Sequence, residues 1–297
     1  MELLKFLEAI RTPFLDIVFG FVTRLGEETV GIVILCMIFW CISKRIAYGM
    51  GIAYFLSGLT VQGMKIGFRI ERPWIIDPAF KPVPSALEHA TGYSFPSGHT
   101  QSVAVVFGSL GAQIKQILPK TICFLVVILV AFSRMYLGVH TLLDVSVSLL
   151  ISLLLVFAAV KFLCIDTVNK KRELIIALFM MLFAVTVIII AAVLYSSGKI
   201  EKNYLSDCLK AAGAAIGFAV GMYVERVYIN FSVGAKNIFW QIIKFILGLA
   251  GVLVIKEGLK LIVGSGFVVD TIRYFLMLLW VTMLFPLIIK RFLQDTK

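Results

Sequence analysis

Apolar residues run in long blocks divided by short polar breaks. The blocks fall at about 29–43, 46–64, 100–118, 120–135, 142–164, 174–196, 205–223, 238–256 and 272–289. A bilayer-spanning helix needs about 20 mostly apolar residues. The pattern therefore predicts an all-α, polytopic membrane bundle, with the blocks at 29–43 and 120–135 short for a full crossing. Upstream, Leu3, Leu4, Leu7, Ile10, Phe14, Leu15 and Val18 recur at helical spacing among charges. That predicts one or two amphipathic helices lying along the membrane surface over 1–28. The charges interrupt this stretch too often for a cleavable signal.

Composition supports the membrane reading. Of 297 residues, 60% are hydrophobic and 15% charged, against about 45–50% and 25% in soluble domains. Mean hydropathy is +1.00. The net charge of +11 comes with no basic, aromatic-interleaved stripe, so a nucleic-acid partner is not expected. Charge at membrane edges and on phosphate ligands accounts for it better. Cys36, Cys41, Cys123, Cys164 and Cys208 have no metal or redox spacing and read as small buried hydrophobes.

Basic residues favour cytoplasmic loops. With the N-terminus outside, Lys44-Arg45, Lys115 and Lys120, Lys170-Lys171-Arg172, Arg226 and Lys236, and Lys290-Arg291 all fall inside. The polar blocks that carry chemistry then share the outer side.

There are three such blocks: Lys65-x6-Arg72-Pro73; Tyr93-Ser94-Phe95-Pro96-Ser97-Gly98-His99; and Ser133-Arg134-x5-His140-x3-Asp144. Pro73 restricts Arg72 to extended backbone, and an arginine and a lysine together can hold a phosphate. A cation at a membrane boundary can instead simply snorkel. Ser97 and Thr100 are candidate helix caps. Free N–H groups at a helix start also attract anions, and Gly98 lets backbone approach a ligand. His99 could protonate a leaving oxygen. If their turn is helical, His140 and Asp144 share a face. A carboxylate behind an imidazole fixes its tautomer, and such an imidazole can attack phosphorus. Arg134 would be a third cation for the oxygens on which transition-state charge spreads. Glu88 and His89, in the long proline-rich loop between 65 and 99, read as an exposed pair outside the motifs.

With all three blocks together, the chain resembles the type 2 phosphatidic acid phosphatase family, whose site is related to that of vanadium haloperoxidases. Every defining position matches: Lys65, Arg72 and Pro73; Pro96, Ser97, Gly98 and His99; Ser133, Arg134, His140 and Asp144. The resemblance covers roughly residues 10–165. It implies His140 as a nucleophile forming phosphohistidine, Asp144 orienting it, and His99 protonating the leaving alkoxide and later activating water. Lys65, Arg72, Ser97, Gly98 and Arg134 would bind the phosphate, with no metal and no cofactor.

The expected organisation is interfacial helices over 1–28, a catalytic core over 29–165 and about four added membrane helices over 166–297. The added part shows no further polar constellation. Its Gly213-x3-Gly217-x3-Gly221 run makes one smooth helix face, suited to packing against the chain's own helices or, less favoured, to a homodimer. The expected function is hydrolysis of a lipid phosphate or diphosphate in the plasma membrane: undecaprenyl diphosphate, phosphatidylglycerol phosphate or phosphatidic acid. The alternatives are a lipid-linked phosphotransferase using the same phosphohistidine, and a lipid transporter or scaffold with a vestigial site.

Overall fold

A computed structural model describes residues 1–88, 90–163, 167–264 and 266–293. His89 and Cys164 lie outside the described residues. Among these residues the chain is helical, without strands. In order, the helices are α1 (Glu2–Ala9), α2 (Pro13–Thr23), α3 (Glu28–Met37), α4 (Lys44–Phe68), α5 (Pro73–Ile76), α6 (Gly98–Gln113) and α7 (Ile117–Tyr136). There follow α8 (Leu142–Ala158), α9 (Lys170–Ser196), α10 (Lys202–Val224), α11 (Ile238–Leu253), α12 (Leu259–Val263), α13 (Phe267–Leu279) and α14 (Phe285–Ile288). Wider π-type turns extend several of them, so α3 reaches Ile42, α8 Leu163 and α10 Ile229.

Each apolar block of the sequence contains a helix among the described residues. Six helices are long and apolar enough to cross a membrane, and a seventh if the bent pair Pro13–Gly26 and Glu28–Ile42 counts as one span. This is fewer than the nine blocks suggest. α4 and α6 account for the difference: α6 has 16 residues, and α4 carries Tyr48, Tyr54, Ser57, Gln62 and four glycines up to Gly63. Both are central and largely walled in by other helices. An internal helix does not need lipid-facing apolar residues on every side, which frees these two to carry polar side chains.

Local chemistry sets the ends that matter. The Ser97 hydroxyl caps α6 at Thr100 N. Arg69 adopts a left-handed conformation, φ 51°, and stops α4 just after Lys65. Thr141 and Asp144 form a reciprocal capping box at the start of α8. α4 packs against α6 and α8 on one side and α10 and α9 on the other, which makes it the seam between the two halves of the chain. One buried apolar cluster runs from Leu35 through Ile52 and Phe218 to Val281.

The small-residue face of α10 is used inside the chain. A Cβ on Gly213 would sit 2.4 Å from the Thr271 carbonyl, and one on Gly217 2.3 Å from that of Phe275. α13 therefore lies against this face, which leaves it closed to a homodimer.

The long loop before α6 is folded. Phe80, Val83, Ala86 and Ala90 are buried, and Val83 N–H bonds the Leu137 carbonyl at 3.0 Å, so the loop covers the end of α7. Glu88 is exposed. Cys36, Cys123 and Cys208 are buried and Cys41 half-buried, all as free thiols.

Candidate active site

The last turn of α4, the start of α6, the end of α7 and the turn before α8 meet around one cavity of about 330 Å³. Lys65, Arg72, Gly98, His99, Arg134 and His140 all line it. Six residues from three distant blocks thus face one space.

Arg72 is 4% exposed and extended, φ −70°, ψ 152°, as the following proline requires. Its guanidinium is clamped by carbonyls. Nε bonds the Gly92 oxygen at 2.8 Å, Nη2 that of Thr91 at 2.7 Å, and Nη1 that of Val139 at 2.8 Å. Nη1 also lies 3.0 Å from His140 Nε2. A guanidinium can only donate, so this contact leaves the lone pair on Nε2 and the imidazole proton on Nδ1.

Nδ1 faces the Asp144 carboxylate, 3.5 Å from Oδ2. This is longer than a normal N–H to oxygen hydrogen bond. Asp144 itself is tightly held. Oδ2 accepts Ser94 Oγ–H at 2.6 Å and Thr141 N–H at 2.7 Å. The His140–Asp144 approach therefore comes from a helix cap. It does not come from a shared helix face, because His140 precedes the helix on which Asp144 sits.

Burial, followed by the charges of Arg72, Arg134 and Lys65, pushes the His140 imidazole well below its usual pKa. It is neutral at pH 7 and available as a nucleophile. Burial pulls the Arg72 guanidinium down to about 10, with Asp144 opposing the shift, so it stays charged. Arg134 is 1% exposed. Its Nη1 donates to Thr23 Oγ1 at 2.8 Å, while Nε is buried without a partner among the described residues. Lys65, Arg72 and Arg134 thus line one cavity with His140, and Glu28, Asp207 and Lys210 share its wall. Three cations beside one imidazole suit a multiply charged anion.

Gly98 leaves open space: a Cβ there would meet nothing within 4 Å, so the glycine is not required by packing. Ser97 caps α6, one of the two uses its position suggests. Its hydroxyl receives Thr100 Oγ1–H at 2.9 Å and caps the helix, its N–H bonds the Asp144 carbonyl, and it is fully buried behind the cavity wall. Its backbone N–H is taken, whereas its hydroxyl accepts both bonds from Thr100 and keeps its own proton to donate.

Several residues of the site carry no readable spacing. Ser94 falls within a quoted block, yet nothing in that block marks it as a partner of Asp144. Thr23 holds Arg134 from 111 positions away. The larger surprise lies past residue 170, where the sequence shows no further constellation. Asp207 and Lys210 of α10 and Tyr274 of α13 line the same cavity, as do Glu28 and Gln62. Among the described residues, no group of three His, Cys, Asp or Glu side chains is placed to hold a metal.

Comparison with known proteins supplies independent context. The family model described as PAP2 superfamily matches residues 45–164. A second, described as PAP2 superfamily phosphatase, transmembrane extension, matches 209–297. Phosphatidylglycerophosphatase B of Bacillus subtilis (strain 168) is 29% identical over 166 residues, 50% of this chain and 75% of that protein. Two crystal structures are similar. The transmembrane PAP2 type phosphatidylglycerolphosphate phosphatase from Bacillus subtilis is 27% identical, covering 53% of this chain and 81% of that one, with a TM-score of 0.45. Aquifex aeolicus LpxE is 26% identical, covering 54% and 94%, with a TM-score of 0.47.

Proposed function

Because the chain belongs to the PAP2 superfamily of membrane phosphatases, we propose that it hydrolyses a lipid phosphate through a phosphohistidine on His140. The observation that carries this reading is the orientation of His140. Its Nε2 lone pair faces a cation-lined cavity, and its Nδ1–H faces a carboxylate held by two donors.

The steps follow from that arrangement. The phosphate enters among Lys65, Arg72 and Arg134, and Arg72 Nη1 turns its hydrogen bond from Nε2 to a phosphate oxygen. Nε2 attacks phosphorus, the P–O bond to the lipid breaks, and His99 gives its proton to the leaving alkoxide. Positive charge on the imidazole is stabilised by Asp144. Water then attacks phosphorus as His99 takes its proton, the N–P bond breaks, and inorganic phosphate leaves. Cations fixed in a half-dry cavity stabilise the spread charge of this transition state without reorganising.

Among the expected lipids, the name of the Bacillus subtilis relative favours phosphatidylglycerol phosphate. We place the site on the extracytoplasmic face of the plasma membrane, supported by the basic clusters that gather at the opposite helix ends, such as Lys44-Arg45 and Lys170-Lys171-Arg172. The test is phosphate release by the purified protein from a panel of lipid phosphates and diphosphates, without an added acceptor. Release is expected from the wild type, and His140→Ala should reduce it to background while remaining folded. Transfer only when a lipid or sugar acceptor is present would favour the phosphotransferase instead. Wild-type rates in His140→Ala would remove His140 as nucleophile.

A further inference from the structure

The cavity is larger than its phosphate ligands need. At about 330 Å³ it falls in the range of small-molecule sites and exceeds what a lone anion requires. Its wall takes in residues of the C-terminal part as well: Asp207 and Lys210 one turn apart on α10, and Tyr274 on α13, together with Glu28 at the start of α3. Asp207 and Lys210 pair at 3.3 Å and keep 39% and 29% of their side chains exposed, so both can still meet a ligand. Asp207 is within electrostatic range of Lys65, and Glu28 of Asp207 and Lys210.

Past Glu28 and Tyr274 the wall turns apolar. These two residues also border a second cavity of about 150 Å³ between α3, α11 and α13, with Ile32, Val252 and Leu253 in its wall and Lys256 at its edge. Outward from His140, the order is therefore cations, then hydrogen-bonding groups, then hydrocarbon.

We propose that the extension completes the substrate site. Asp207, Lys210 and Tyr274, with Glu28, take a hydroxyl-bearing spacer that links the terminal phosphate to the lipid. The apolar cavity takes the start of the tail. Two carboxylates accept hydrogen bonds from hydroxyl groups, while the ammonium and the phenol donate them. A second phosphate in the same place would face two carboxylates against one ammonium. The subsite therefore favours a polyol-linked monophosphate over a diphosphate. Lys256 puts one cation where a phosphodiester would join such a spacer to its diacylglycerol. The proposal rests on the phosphatase reading above and adds the specificity of that site.

The test compares two lipids in mixed micelles: phosphatidylglycerol phosphate, which has the glycerol spacer, and phosphatidic acid, which lacks it. The measured quantity is the ratio of their kcat/KM values in wild type, in Asp207→Ala/Lys210→Ala and in Tyr274→Phe. Loss of hydrogen bonds to charged partners should lower the ratio about tenfold or more in the double variant, mainly through KM. Tyr274→Phe removes one hydroxyl and should lower it in the same sense, which keeps the test open if the double variant folds poorly. A ratio within about twofold of wild type in both variants overturns the proposal while leaving the phosphatase reading intact. Release from neither lipid by the wild type overturns the parent reading and the subsite with it.

Discussion

Ser94→Ala deletes one hydroxyl, and we expect it to lower kcat about tenfold to a hundredfold with little change in KM. Asp144 Oδ2 is fixed by Ser94 Oγ at 2.6 Å and Thr141 N at 2.7 Å, with His140 Nδ1 further off at 3.5 Å. A hydrogen bond to a charged group contributes about 1.5–3 kcal/mol, and each ~1.4 kcal/mol is about tenfold in rate. The carboxylate keeps its Thr141 partner, so no buried charge is orphaned. The cost should fall on aim more than on folding. Ser94 does not line the cavity, which is why KM should hold. The assay is phosphate release in detergent at varied substrate, with thermal unfolding of the same preparations. A double-mutant cycle with Asp144→Asn isolates the coupling: once the carboxylate is gone, Ser94→Ala should cost little more. Folded Ser94→Ala with kcat within about twofold of wild type, or fully additive losses in the cycle, would refute the view that Ser94 acts by positioning Asp144.

Other outcomes follow from the same geometry. His140 must be neutral to attack, and its depressed pKa keeps it neutral below the ordinary histidine value. Activity limited by His140 should therefore persist below pH ~6.5 and fade only as pH drops through the depressed value. Arg72→Gln removes the largest charge contribution to that depression. It should move the His140 titration upward in histidine-labelled NMR spectra, and an unmoved titration would rule out the coupling. Gly217→Val would push side-chain atoms into the Phe275 backbone, 2.3 Å from the carbonyl oxygen. Overpacking of this kind costs about 1–3 kcal/mol or more, read as a lower unfolding temperature, and kcat/KM should fall too because α10 walls the cavity. Phosphate release should survive EDTA, since three side-chain cations already meet the anion; a strict need for added Mg²⁺ would count against this charge assignment.

The helices were legible because lipid and core select apolar residues in blocks of the right length. The blocks at 205–223 and 238–256 correspond to α10 and α11 with ends moved by several residues. The span count was less legible: α4 and α6 hide from lipid, so hydropathy stops marking them. The motif residues were legible because each block lies within one loop or helix end, where spacing and geometry are linked. That link fails across the bundle. No spacing joins Thr23 to Arg134, and Asp207 with Lys210 looks like any ion pair at a helix surface. Ser97 was readable as a helix cap, and its hydroxyl oxygen does cap α6.

Charge balance also bears on how the proposed attack would proceed. Asp144 is the carboxylate behind the nucleophile, and it already answers to Ser94 and Thr141. Burial first, and then the charges of Arg72, Arg134 and Lys65, depress the imidazole. In the proposed mechanism an arriving phosphate would bring negative charge to these cations. It would draw the Arg72 donor from Nε2, whereas the three carbonyl bonds of the same guanidinium hold the residue in place. The anion would also offset the cationic part of the His140 depression, leaving the part due to burial. An imidazole made more basic, with its lone pair released, is a better nucleophile at the moment phosphorus is within reach. On the proposed mechanism the substrate would thus complete the electrostatics of its own attack, because the arginine that bonds the Nε2 lone pair is also the one that would hold the phosphate.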